Sequence, residues 1–117
     1  MIKILVTGGR NYNNVDKVFN TLCHYFRSIP MGEMRLVVGG AQGADAHAQR
    51  WAETYEVIHI IYPAPWATLG RRAGLYRNAQ MLALEKPDLV VAFPGGTGTA
   101  HMVRIAKQAG VTVHEVA

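Results

Sequence analysis

The sequence predicts an α/β domain built on a doubly wound, mainly parallel five-stranded sheet with helices on both faces. Three observations carry this reading. Short apolar runs alternate with amphipathic helical stretches from one end of the chain to the other. The runs are β-branched and almost continuously apolar, as in strands covered on both faces. Finally, eight of the twelve glycines lie in three of the four loops that follow a predicted strand.

The first strand is Ile2-Lys3-Ile4-Leu5-Val6. Val15, Val18, Phe19, Leu22 and Phe26 then recur at helical spacing, with Asn13 or Asn14 as N-cap and Asp16 in the first turn. Pro30 and Gly32 close that unit. Leu36-Val37-Val38 is the second strand, and Ala44, Ala48, Trp51, Ala52 and Tyr55 mark one face of the next helix. The third strand runs from Val57 to Tyr62, and an irregular stretch follows from Pro63 to about Gly74, with two prolines and two glycines. A helix from about Leu75 to Glu85 is stopped by Pro87, because the residue before a proline disfavours the helical region. Leu89 to Phe93 is the fourth strand, Thr97 to Ala109 the last helix with Gly110 at C′, and Val111-Thr112-Val113 the final strand.

The 117 residues suit one domain with one core, spanning 1–117, and a 50% apolar fraction with 17% charged residues excludes a disordered chain. The single cysteine, Cys23, cannot form an intramolecular disulfide and reads as a small packing residue. No Cys/His spacing suggests a zinc site, so no metal is expected except Mg²⁺ carried in by a bound phosphate. The first apolar run is too short for a signal-peptide core or a membrane span. The expected location is therefore the cytoplasm, with no membrane partner. A net charge of +4 favours anionic partners without naming one.

In an open parallel sheet, ligands bind beyond the carboxyl ends of the strands. Strand one runs into Gly8-Gly9-Arg10, strand two into Gly39-Gly40-Ala41-Gln42-Gly43-Ala44-Asp45, and strand four into Pro94-Gly95-Gly96-Thr97-Gly98-Thr99. Glycine there lets the backbone approach a ligand, and the helix N-terminus behind it offers free N–H groups and a positive dipole. That combination suits a phosphate. The plainer alternative is that Gly-Gly pairs simply make tight turns. Neither G-x-G-x-x-G nor G-x-x-x-x-G-K-[ST] occurs, so the usual dinucleotide and P-loop arrangements are disfavoured.

Gly39 to Asp45, Gly74-Leu75-Tyr76-Arg77-Asn78-Ala79-Gln80-Met81 and Pro94 to Thr99 together resemble the Rossmann-like SLOG superfamily, which includes the LOG enzymes and the DNA-processing protein A fold. The match looks closest to a short single-domain branch that also carries the early Gly-Gly-Arg and the Trp66–Gly70–Arg77 spacing. The resemblance covers essentially the whole chain. It implies a pocket for a nucleotide or nucleotide-derived ligand, with the P-G-G-x-G-T loop on its phosphate. In LOG-type phosphoribohydrolases that motif continues to a catalytic glutamate, helped by an upstream arginine. Arg77 matches the arginine, but Met102 stands at the glutamate position, beside His101. A hydrolase of this kind needs a carboxylate to activate water or to stabilise an oxocarbenium-like centre, and methionine does neither.

Asp45 is the one carboxylate in the candidate loops, readable as a first-turn acid, a ribose-hydroxyl acceptor or a substitute base. Asp45 and Arg77 are thus the candidate catalytic pair. Arg10, Arg77 with Asn78, and one of Arg71 and Arg72 (Arg72 is preferred) are candidate ligand contacts. Trp66 either stacks on a base or anchors its loop. Thr97 and Thr99 are read as phosphate donors, N-caps, or both. His47 is a minor candidate for the site, and His24, His59 and His114 read as surface or packing residues.

Three functions compete: a sensor or sequestering protein for a nucleotide-derived molecule, an enzyme cleaving an N-glycosidic bond with Asp45 or His101 replacing the glutamate, and a nucleic-acid binder. The last is disfavoured, because the arginines gather at the crevice and no aromatic-basic interleaving runs along a face. A homodimer or higher oligomer is expected, with Trp51, Tyr55, Tyr76 and Met81 as its candidate surface or, equally, as core.

Overall fold

A computed structural model describes residues 1–117, apart from the side chains of Ala67 and Arg71. Five strands, β1 (Ile2–Thr7), β2 (Met34–Val38), β3 (Ile58–Ile61), β4 (Leu89–Ala92) and β5 (Thr112–Glu115), form one sheet in the order β3-β2-β1-β4-β5. Every pairing is parallel. The chain winds outward from β1 to β3 and then returns to the other side of β1, so the topological switch falls between β1 and β4.

The helices are α1 (Val15–Ser28), α2 (Ala44–Thr54), a single turn α3 (Trp66–Leu69), α4 (Ala73–Glu85) and α5 (Thr97–Gln108). Alternate strand residues face opposite ways. Ile4, Val6, Leu36, Val38 and Val91 meet Val18 and Leu22 of α1 and Ala44, Ala48 and Trp51 of α2. Leu5, Val37 and Val90 meet Met81 of α4 and Met102 and Ala106 of α5. The small Ala44/Ala48/Ala52 edge lets α2 lie close to the sheet and leaves room for Trp51. The Trp51 indole N–H points at Cys23 Sγ, 3.3 Å away on α1, so Cys23 is a packing residue. Asn14 caps α1 by accepting the N–H of Lys17 at 3.1 Å.

The structure corrects one of these expectations and decides between alternatives in others. The segment read as irregular holds α3 and a 3-10 turn at Gly70–Arg72, and α4 begins two residues before Leu75. Pro65 sits just ahead of α3, where its missing N–H costs no helical bond, and Gly70 at φ +56° ends that turn. β3 is an open edge with Ile58 and Ile61 exposed, because the sheet order leaves it one neighbour. Trp51 and Met81 are fully buried core residues and cannot form a subunit surface, which leaves Tyr55 and Tyr76 as the exposed members of that set. Neither Thr97 nor Thr99 caps α5: Gly96 occupies the cap position and no side chain accepts the first N–H groups. Among the described residues, no helix is long and apolar enough to cross a membrane.

Candidate functional site

The carboxyl edge of the sheet at the β1/β4 switch opens into a crevice of about 460 Å³, within the range of small-ligand sites. Its walls come from three loops and from α3 and α4. Gly9 N donates to Pro94 O at 2.9 Å and Phe93 N to Thr7 O at 2.9 Å, which ties the first loop to the fourth. Ala44 N donates to Gly9 O at 3.2 Å, which ties it to the second.

The glycines divide into two kinds. A Cβ on Gly43 would run into the carbonyl oxygens of Gly9 and Arg10, and one on Gly95 into Thr99 Oγ1 and Gly9 N. Gly8, Gly9 and Gly39 are likewise hemmed in, by Ala44, by Pro94 and by the Arg77 guanidinium respectively. Gly8, Gly9, Gly43 and Gly95 are glycines because the loops interlock, and Gly39 because the Arg77 guanidinium lies against it. Gly96 and Gly98 differ. Nothing lies within 4 Å of a Cβ at either, and neither has a positive φ. Both line the crevice.

Asp45 is 5% exposed at the start of α2 and borders the crevice. It accepts the N–H of Ala41 at 3.3 Å. Burial raises its pKa to about 6, against the pull of Arg77 and of the Ala41 and Gly39 N–H groups. Arg77 Nη1 donates to Gly39 O at 2.5 Å and Tyr62 O at 3.3 Å, and its Nε to Asn78 Oδ1 at 3.1 Å. Its pKa is lowered by burial, with Asp45 opposing and Arg10 adding to the fall. Arg77 therefore clamps the ends of β2 and β3 while carrying its charge into the crevice. Asn78 Nδ2 donates to Gly98 O at 3.0 Å and lies 3.3 Å from His101 Nδ1.

Across the opening, Arg10 Cζ stands 5.3 Å from the Trp66 ring centroid, a cation–π contact. Trp66 is half exposed and its ring edge passes close to Gly74. No carboxylate pairs with Arg10 among the described residues.

Of the candidate site residues, the crevice brings together Gly8, Gly9, Arg10, Ala41, Asp45, Trp66, Arg77, Asn78, Gly96, Thr97, Gly98 and Thr99. Gly39, Gly40 and Gly43 stand behind its wall, supporting it. Pro94 and Gly95 border a second, more open hollow beside Arg104 and Lys107. Arg72 is exposed ahead of α4 and does not line the crevice; the side chain of Arg71 lies outside the described residues. His47 bonds to Tyr12 O at 3.0 Å, away from the opening. Thr7, Gly74 and Leu75 line the crevice without having been singled out. Gly74 and Leu75 open the Gly74–Met81 motif, and the exit of the first strand is the signal for Thr7. Met102 is 0% exposed in the core beneath α5, so the glutamate position of the LOG motif points into hydrocarbon here.

A parallel sheet with a glycine-lined crevice at its switch point defines a Rossmann-like α/β protein. The model of the YspA, cpYpsA-related SLOG family matches residues 2–68, and the chain belongs to that family. It is 36% identical over 120 residues to the gene 61 protein of Mycobacterium phage D29, covering 97% of this chain and 94% of that one. Among solved structures, TM1055 superposes with a TM-score of 0.68 at 21% identity, over 97% of this chain and 72% of that one. The C-terminal domain of the PF1911 hydrogenase from Pyrococcus furiosus gives 0.60 at 16% identity, over 99% and 91%. At these identities the likeness is one of fold.

Proposed function

We propose that this protein binds a nucleotide or nucleotide-derived small molecule in the crevice and holds it without turnover, as a sensor or sequestering protein. The observation that carries this reading is the pair Gly96 and Gly98. Neither crowding nor a positive φ explains a missing side chain there. What a Cβ at either position would take is crevice volume at the uncapped N-terminus of α5. An anionic group seated there accepts free N–H groups and meets the helix dipole. Thr97 and Thr99 hydroxyls add donors, and Arg10 adds a cation that no carboxylate holds among the described residues. Asp45 supplies an acceptor for a sugar hydroxyl. Any Mg²⁺ would come with the phosphate.

Holding without turnover is supported by the core position of Met102, which leaves no carboxylate on that turn of α5. The second reading, N-glycosidic cleavage, is favoured by one observation: an aspartate with a pKa of about 6 is poised for proton transfer. A thermal-shift screen over nucleoside mono-, di- and cyclic phosphates and ADP-ribose derivatives, with mass spectrometry after overnight incubation, separates the two. A stabilising ligand recovered intact is the expected result. Free base or ribose phosphate would establish the hydrolase instead.

A further inference from the structure

We infer that the exposed face of Trp66 is the seat of a flat nucleobase, and that the Arg10 guanidinium occupies that seat until the ligand arrives. This inference rests on the nucleotide reading above and adds the part of the ligand that is selected and the residues that select it.

Trp66 does not hold its segment to the core, since it is 50% exposed while the other tryptophan, Trp51, is fully buried. One edge of its ring lies beside Gly74, where an added Cβ would sit 3.6 Å from Cη2. The ring borders the crevice and is covered by a planar cation at 5.3 Å. A guanidinium is itself a flat group that stacks on aromatic faces, so a surface that accepts it has the shape that accepts a base. Arg10 is held by no carboxylate among the described residues, so nothing but the ring competes with an arriving anion for its guanidinium. Arriving phosphate gives Arg10 a stronger partner than an exposed ring, because a charge-assisted bidentate contact outweighs an exposed cation–π contact. Arg10 then leaves the ring, and the base stacks in its place. The two ends of one ligand thereby drive a single exchange.

The test uses the full chain with the four ribonucleoside 5′-monophosphates, ribose 5-phosphate and the free nucleosides, read by calorimetry and by tryptophan emission. Trp51, sealed in the core, serves as an internal blank. At least one monophosphate is expected to bind and quench emission in the wild type. Trp66→Leu should weaken it about tenfold or more, the scale of one base stack, and change ribose 5-phosphate affinity less than twofold. Trp66→Phe should recover most of the loss. Arg10→Ala should weaken the monophosphate and tighten the matching nucleoside. An equal loss for monophosphate and ribose 5-phosphate in Trp66→Leu, or binding without quenching, overturns the stacking role while leaving the crevice as the ligand site. A weaker nucleoside in Arg10→Ala overturns the exchange. If no monophosphate and no ribose 5-phosphate binds the wild type, the nucleotide reading falls and this inference falls with it.

Discussion

Asn78 Nδ2 donates to the carbonyl oxygen of Gly98 at 3.0 Å, so helix α4 holds the first turn of α5 through one buried amide. The same side chain accepts Arg77 Nε at 3.1 Å and is only 3% exposed. The glycine-rich turn is thus positioned by a residue twenty positions earlier, on the neighbouring helix. Asn78→Ala should destabilise the protein by about 1–2 kcal/mol, since it removes a buried donor and acceptor together. Thermal unfolding should show a fall of roughly 3–10 °C, and ligand affinity should fall with it. An unchanged melting temperature would mean that the bond does not hold the turn.

Met102 tests whether the family's hydrolytic geometry is latent here. It lies at 0% exposure against Leu5, Val37, Met81, Val90 and Ala106. Met102→Glu should cost at least about 3 kcal/mol, because it buries an unpaired carboxylate. It should not create base release from any nucleotide. Met102→Leu should stay within about 1.5 kcal/mol of the wild type. Urea denaturation of the two variants gives the comparison, and a stable, hydrolytic Met102→Glu would refute the core placement.

Asp45 makes stability depend on pH in a definite direction. Its pKa is about 6 in the folded chain against 3.8 for the free group. Between those values the folded state binds more protons than the unfolded one, so stability falls as pH rises through that window. The loss amounts to something on the order of 2–3 kcal/mol by neutral pH. Asp45→Asn should flatten that slope and stabilise the protein at pH 7, as read from urea midpoints across the range. A ligand hydroxyl that donates to the carboxylate should bind more tightly as pH passes through about 6. A slope of the opposite sign would mean that Asp45 is held ionised.

Gly43 separates interlocking glycines from ligand glycines. It sits at φ +71°, and a Cβ would meet backbone carbonyl oxygens that cannot swing aside. Gly43→Ala should therefore destabilise by more than the usual 1 kcal/mol penalty for a left-handed alanine. A melting temperature equal to that of the wild type would show that the loops part easily.

Much of this architecture was legible in the sequence because period-2 and period-3.6 patterns report burial directly. All five strands and the four long helices follow from them, as does the crevice at the strand ends. What failed depended on information that no local window contains. Val57 to Tyr62 reads the same whether it is central or at an edge, since strand order is set by crossovers and not by composition. Trp51 and Met81 mark amphipathic faces, but only the packed sheet decides which face meets solvent. Pro63, Pro65, Gly70 and Gly74 looked like breakers, yet a proline ahead of a helix and a glycine behind it are what delimit one short turn. The hold of Arg77 on Gly39 O spans 38 positions and left no mark in the sequence.

If the space at Gly96 and Gly98 is kept open for a ligand, filling it costs binding and not stability. Gly98→Ala tests it most directly, because Gly98 lies within α5, where glycine is disfavoured by roughly 0.5–1 kcal/mol relative to alanine. The measurement is calorimetric titration of the tightest nucleotide from the screen into wild-type and Gly98→Ala protein, alongside their melting temperatures. Gly98→Ala is expected to melt a few degrees higher and to bind at least about tenfold more weakly. A variant that is destabilised, or that binds the nucleotide as tightly as the wild type, would contradict it.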